Sequence, residues 1–310
     1  MYASFLREKI MRIREERNAI ILAHNYQRPE VQELADFTGD SLELAIRSSS
    51  VDAELIVFAG VDFMAETAAI LNPDKKVLIA DPEAKCPMAA QLPARLVREA
   101  KARHPGAATV LYVNTSVEAR AEADVTCTSA NAAEVVNALD ENVVLFGPDR
   151  NLAWFVQKRT EKKVIPLPDY GHCYVHRIFT PADIINRKKE QPDAEVLVHP
   201  ECDPEVQELA DHLCSTSQMI KRAKVSSARS FIIATEVGMI PRLAREFPDR
   251  KFMPANENAV CEQMKRTTLE KLYESLRDMK YLVSVPEDVA RRARGATERM
   301  IEITGRRMHD

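Results

Sequence analysis

Short apolar runs bounded by polar residues recur along the chain at a nearly fixed interval. Ile20-Ile21-Leu22-Ala23-His24, Val110-Leu111-Tyr112-Val113-Asn114 and Val196-Leu197-Val198-His199 are continuous, β-rich and polar at their ends, which stand 90 and 85 residues apart. A helical pattern follows each run. Then comes a cluster of small polar residues: Thr38-Gly39-Asp40-Ser41, Thr126-Cys127-Thr128-Ser129 and Cys214-Ser215-Thr216. Ser41, Ser129 and Thr216 are separated by 88 and 87 residues. Further buried-strand runs at 55–60, 143–147 and 231–235 are followed by amphipathic helical stretches. Short runs starting at Val77, Val164 and Phe252 complete the pattern, and Cys86, Cys173 and Cys261 lie six to ten residues beyond those starts, 87 and 88 residues apart.

Strands alternating with helices predict an α/β fold of three pseudo-symmetric units of about 87 residues, each with a short parallel sheet, around a central site. Continuous apolar strands suit a sheet covered on both faces. The units are expected at 1–85, 86–172 and 173–264, with a C-terminal helical stretch over 265–310 packing back on the first. Strand C-terminal ends then gather at one edge, where ligands of such folds bind.

Composition narrows the function. Forty-three Lys and Arg against 47 Asp and Glu give a formal net charge of −4, with no basic excess for nucleic acid or an anionic membrane. The charged N-terminus lacks the apolar core of a secretory signal, and no apolar run is long enough to span a bilayer; a cytoplasmic location is expected. With only eight Gly, neither G-x-G-x-x-G nor a P-loop can be assembled. None of the six Cys are spaced C-x-x-C, which disfavours zinc ribbons and thioredoxin-like motifs.

The cysteine triple carries the first candidate chemistry. Three related units around an axis aim Cys86, Cys173 and Cys261 at one point, and three thiolates suit zinc or an iron–sulfur cluster with one position open. The same recurrence also arises from a small buried residue inherited by each unit. Cys127 and Cys214 share the period, but Gly39 fills their place in the first unit. They and Cys202 read as structural. His24, His176 and His199 fall near strand ends or the Cys173 loop and are expected to converge with Tyr26, Tyr112, Asn114 and Glu201; these types transfer protons and bind carboxylate or phosphate. His172 reads as structural, and His104, His212 and His309 as surface residues. Ser41, Ser129 and Thr216 read either as helix caps or as anion-binding hydroxyls at helix starts, with Lys265 and Arg266 as further positive charge.

At these residues the sequence resembles the quinolinate synthase family, the A protein of NAD biosynthesis. The matching stretches are Ala-His24-Asn-Tyr26-Gln-Arg-Pro-Glu, Gly39-Asp-Ser41-Leu-Glu, Tyr112-Val-Asn114-Thr-Ser, Gly-His172-Cys173-Tyr-Val-His176, His199-Pro-Glu201-Cys202, Cys214-Ser-Thr216-Ser, Asn-Ala-Val-Cys261-Glu-Gln-Met-Lys265 and Thr268-Leu-Glu. The resemblance implies a [4Fe–4S] cluster held by Cys86, Cys173 and Cys261, with the open iron as a Lewis acid. It implies condensation of iminosuccinate (iminoaspartate) with dihydroxyacetone phosphate to quinolinate, phosphate and water. Substrate would be bound by His24, Ser41, Tyr112, Asn114, Ser129, His176, His199, Glu201 and Thr216. Glu201 is expected as general base, with Tyr26, His24 and His199 also catalytic. L-aspartate oxidase or aspartate dehydrogenase would supply iminosuccinate upstream.

Overall fold

The computed structural model describes residues 2–305; His309 and the rest of 306–310 lie outside the described residues. Three four-stranded, all-parallel sheets carry the fold. The first has the order β2-β1-β3-β4, with β1 Ala19–His24, β2 Phe37–Gly39, β3 Leu55–Ala59 and β4 Lys76–Ile79. The second repeats it as β6-β5-β7-β8, with β5 Ala108–Tyr112, β6 Val125–Cys127, β7 Val143–Gly147 and β8 Lys163–Pro166. The third is β10-β9-β11-β12, with β9 Glu195–Val198, β10 His212–Leu213, β11 Ser230–Ala234 and β12 Lys251–Pro254. The expected α/β class and three related units are thus present.

The continuous apolar runs are explained by what covers them. In the first sheet Ile20, Leu22, Ile56, Phe58, Val77 and Ile79 face one core, while Ile21, Ala23, Val57, Ala59, Leu78 and Ala80 face another. Alternate residues of a strand point to opposite faces, so a sheet buried on both sides has no polar position to spare. The helix Tyr2–Glu16 (through Leu6, Ile10 and Ile13) and the helix Leu269–Asp278 (through Leu269, Leu272 and Leu276) cover the second face. Each fully buried aliphatic chain there stabilises by about 1.5–3 kcal/mol. The first face shares its core with Leu197, Phe231, Ile233 and Phe252 of the third sheet, which fuses the first and third units. The C-terminal helix Glu287–Ile303 lies against β6 of the second unit and against the helices Asp62–Leu71 and Val117–Arg120, burying Ala293, Ala296, Met300 and Ile301. No described helix is long and apolar enough to cross a membrane.

Strand ends set the true period. β5 stops at Tyr112, two residues before the Asn114 end predicted from hydrophobicity. The equivalent positions are therefore His24, Tyr112 and His199, at intervals of 88 and 87, and two residues on come Tyr26, Asn114 and Glu201. Register agrees: His24 pairs with Gly39 and Tyr112 with Cys127. In every sheet the chain order reverses between the strand bearing these residues and its second neighbour, the place where α/β sheets open a crevice.

Candidate active site

One cavity at the C-terminal ends of the strands is lined by Cys86, Cys173 and Cys261, by His24, His176 and His199, by Tyr26, Tyr112, Asn114 and Glu201, and by Ser41, Ser129 and Thr216. The fold brings together all thirteen residues singled out in the sequence. Cys127 and Cys214 lie buried beside the strands, and Cys202 packs in the core of the third unit with its thiol 3.6 Å from the carbonyl of Ala234. None of the three lines the cavity. Neither do Lys265 and Arg266: Lys265 pairs with Glu236 at 2.9 Å and reaches the Tyr26 carbonyl, and Arg266 pairs with Asp81 at 3.0 Å. His172 hydrogen-bonds the Tyr170 carbonyl.

The cysteine loops are three copies of one device. Each Cys stands seven residues beyond its edge strand β4, β8 or β12 and three before a short 3-10 turn, Ala89–Gln91, His176–Ile178 or Met264–Arg266. Each Cys carbonyl accepts the backbone N–H four residues on, at 3.1–3.2 Å: Ala90 for Cys86, Arg177 for Cys173, Lys265 for Cys261. The backbone N–H three residues on, from Ala89, His176 or Met264, acts on each sulfur electrostatically. Burial pushes all three thiols up, and these N–H groups oppose it by favouring the thiolate. The loops also clasp one another in a ring. Gln91 exchanges two 3.1 Å hydrogen bonds with the His172 backbone, the Tyr174 hydroxyl accepts the Glu262 N–H at 2.9 Å, and Gln263 accepts the Lys85 N–H at 3.3 Å. Three convergent sulfurs are the donor set a soft metal centre requires.

The remaining wall handles protons and anions. His24 Nδ1 accepts the Tyr26 N–H at 3.1 Å, and His199 Nδ1 accepts the Glu201 N–H at 3.3 Å. In both neutral rings the proton must then sit on Nε2. Burial holds both imidazoles neutral, lowering His24 to about 4 and His199 to about 3. His176 stacks on His199 with centroids 4.5 Å apart, places Nδ1 2.8 Å from Glu201 Oε2 and 3.1 Å from Cys173 Sγ, and sets Nε2 2.8 Å from Thr235 Oγ1. The Tyr26 phenol completes the chain, 2.6 Å from the same Thr235 hydroxyl. Burial, reinforced by the Glu201 charge, raises both Tyr26 and Tyr112 well above the usual phenol range. Burial alone would raise Glu201 as well, but His176, His199 and the hydrogen bonds from His176 and Tyr112 hold it below the usual carboxylate range.

None of Ser41, Ser129 and Thr216 is the capping residue of its helix. Asp40 caps the helix Ser41–Ser49, and Ser215 caps Thr216–Val225 in a capping box with Gln218. In the second unit Thr128 pairs with Asn131 and the helix begins only at Ala132, so Ser129 sits in the preceding turn. Ser41 and Ser129 face the cavity, and Thr216 does so while accepting a 3.1 Å bond from the Asn25 amide. The sequence did not flag Thr235, Tyr174, Gln91 or Gln263. By register Thr235 matches Gly60 and Pro148, so its hydroxyl has no counterpart in the other two units.

The fold and the cavity define an α/β protein whose centre of thiols, imidazoles and hydroxyls is assembled from three related units. The family described as quinolinate synthetase A protein matches residues 8–302, and the chain belongs to that family. It is 59% identical over 300 residues to a quinolinate synthase of Methanothermobacter thermautotrophicus, covering 96% of this chain and 98% of that one. A quinolinate synthase of Pyrococcus horikoshii is 59% identical over 297 residues with the same shares, and one of Dehalococcoides mccartyi 52% over 304, covering 98% and 100%.

Proposed function

We propose that this chain condenses iminosuccinate with dihydroxyacetone phosphate to quinolinate. Quinolinate, one phosphate and two waters account for every atom of the two substrates, so the reaction needs no external oxidant. The observation that carries the reading is the threefold cysteine device opening into a cavity of neutral imidazoles and uncapped hydroxyls. Cys86, Cys173 and Cys261 would hold a [4Fe–4S] cluster, which would supply a Lewis acid at the cavity.

The chain's own residues supply the rest. His24 and His199 present Nε2–H donors, which hold carboxylate or phosphate oxygens without adding charge. Ser41 and Thr216 stand in the first turn of helices whose free N–H groups favour anions, and Ser129 and Asn114 add neutral hydrogen-bonding groups. Tyr26, Thr235, His176 and Glu201 form a directed chain. The Tyr26 O–H donates to Thr235, Thr235 donates to bare His176 Nε2, and His176 Nδ1–H donates to Glu201. A proton taken up at Tyr26 passes by tautomer exchange at His176 to the Glu201 carboxylate, and the reverse path returns it. Glu201 thus acts as base through His176, with Tyr26 at the substrate end. Oxidation of aspartate, by L-aspartate oxidase or aspartate dehydrogenase, supplies the imine.

The test is chromatographic. Protein purified without oxygen and given both substrates forms quinolinate and releases one phosphate per quinolinate; phosphate release without quinolinate would contradict the reading. A second reading rests on the trio Cys173, His176 and Glu201, whose ligand atoms lie within 4.8 Å of one another. That spacing suits a single ion such as zinc. Zinc without acid-labile sulfide would select it.

A further inference from the structure

Three carboxylates stand behind the cysteines. Asp62, Asp149 and Glu236 follow β3, β7 and β11 and recur at intervals of 87 residues. Asp62 accepts the backbone N–H of Cys86 at 3.1 Å, Asp149 that of Cys173 at 3.2 Å, and Glu236 that of Cys261 at 3.1 Å. Each carboxylate also grips the chain just beyond its own strand, taking the N–H of Phe63 at 2.9 Å, Leu152 at 2.7 Å or Gly238 at 2.7 Å. A Cβ at Gly238 would sit 2.7 Å from Glu236 Oε2, so this grip requires glycine there. Asp149 and Glu236 are fully buried.

The third unit shows what is being kept. Its cysteine lies 25 residues beyond the carboxylate, against 24 in the other two, and its carboxylate is Glu, one methylene longer. The residue type and spacing change, yet the bond to the cysteine N–H is the same. A general need to close a strand–helix turn would not select that one amide in three units.

We propose that Asp62, Asp149 and Glu236 are positioning residues for the metal centre. Each ties its cysteine's peptide to the start of the following helical segment, so that three sulfurs point to one place before a cluster binds. The inference rests on the cluster reading above. Such outer partners orient ligands, and their loss typically costs about 10–100-fold in metal affinity.

The oxygens used make the test specific. Asp62 takes both N–H groups on Oδ1, so an amide at that position keeps both bonds. Asp149 spends Oδ1 on Leu152 and Oδ2 on Cys173, so an amide there turns an N–H₂ toward a donor. Variants D62N, D62A, D149N and D149A are purified without oxygen and checked for native circular dichroism. Iron and sulfide per chain and the rate of iron loss to a ferrous chelator are then measured. D62N should lose iron within about two-fold of the unaltered rate, and D62A, D149N and D149A roughly 10–100-fold faster. Residue-resolved amide exchange of the metal-free proteins should show faster exchange at Cys86 in D62A and at Cys173 in D149A. Equal retention in D62A and D149A, or a D62N as leaky as D62A, overturns the proposal. So does unchanged exchange at both cysteines. An unaltered protein without iron and sulfide refutes the cluster reading itself, and the role assigned here with it, even where the exchange changes appear.

Discussion

The phenolic oxygen of Tyr26, in the first unit, lies 2.6 Å from the hydroxyl of Thr235, in the third. Two residues 209 positions apart are thereby joined, and the same hydroxyl reaches His176 Nε2. Thr235→Val removes the bridge while keeping the shape. It should lower kcat roughly 10²-fold, as for loss of a proton-transfer partner, with KM little changed. Thr235→Ser should restore most of the rate. Steady-state kinetics on the three proteins checks this, and a fully active Thr235→Val would break the chain.

Tyr26→Phe and Glu201→Gln act at the two ends. Each should cut turnover by about 10²–10⁴-fold, with iron content unchanged. Thr216→Ala should mainly raise KM, because a hydroxyl bond to an anion forms in the ground state as well as during reaction. A Glu201→Gln protein with normal kcat would remove Glu201 from the pathway.

The cysteines divide cleanly. Cys86→Ser, Cys173→Ser or Cys261→Ser should each remove most of the iron and all synthase activity. A triple Cys127→Ala, Cys202→Ala, Cys214→Ala variant should keep its iron and sulfide. It should lose some stability, since these buried thiols pack as small apolar groups. Iron per folded chain decides between the two sets.

Acid should weaken the fold through His24 and His199. Both titrate lower in the folded chain, at about 4 and about 3, than the ordinary 6.5 they regain on unfolding. The unfolded state therefore binds protons first, and stability falls as pH drops from about 6.5 toward 4. At roughly 1.4 kcal/mol per pKa unit, each ring contributes on the order of a few kcal/mol. Urea unfolding of the metal-free protein between pH 7 and 4 measures the slope. It should be shallower in His199→Asn; an unchanged slope would contradict the assignment.

Much of this was legible in the sequence because the chain repeats itself. Continuous apolar strands and the 87-residue spacing of Cys86, Cys173 and Cys261 are imposed by burial on both faces and by three equivalent loops. Finer placement was not legible. Val113 is apolar and extends the β5 pattern, yet pairing ends at Tyr112, which shifted the predicted strand end to Asn114. Asp40 and Ser215 are the caps, which leaves Ser41 and Thr216 with the second of their two readings, since adjacent residues of equal capping ability cannot be ranked without backbone angles. Asp62, Asp149 and Glu236 recur on the same period, but acidic residues at helix starts are ordinary, and only their distances to the cysteine amides set them apart.

The central claim is that three cysteines from three units hold one iron–sulfur cluster. Iron and acid-labile sulfide per chain, measured on protein purified without oxygen, tests it most directly. About four of each are predicted, as in a [4Fe–4S] centre; zinc in their place, with no labile sulfide, would contradict it.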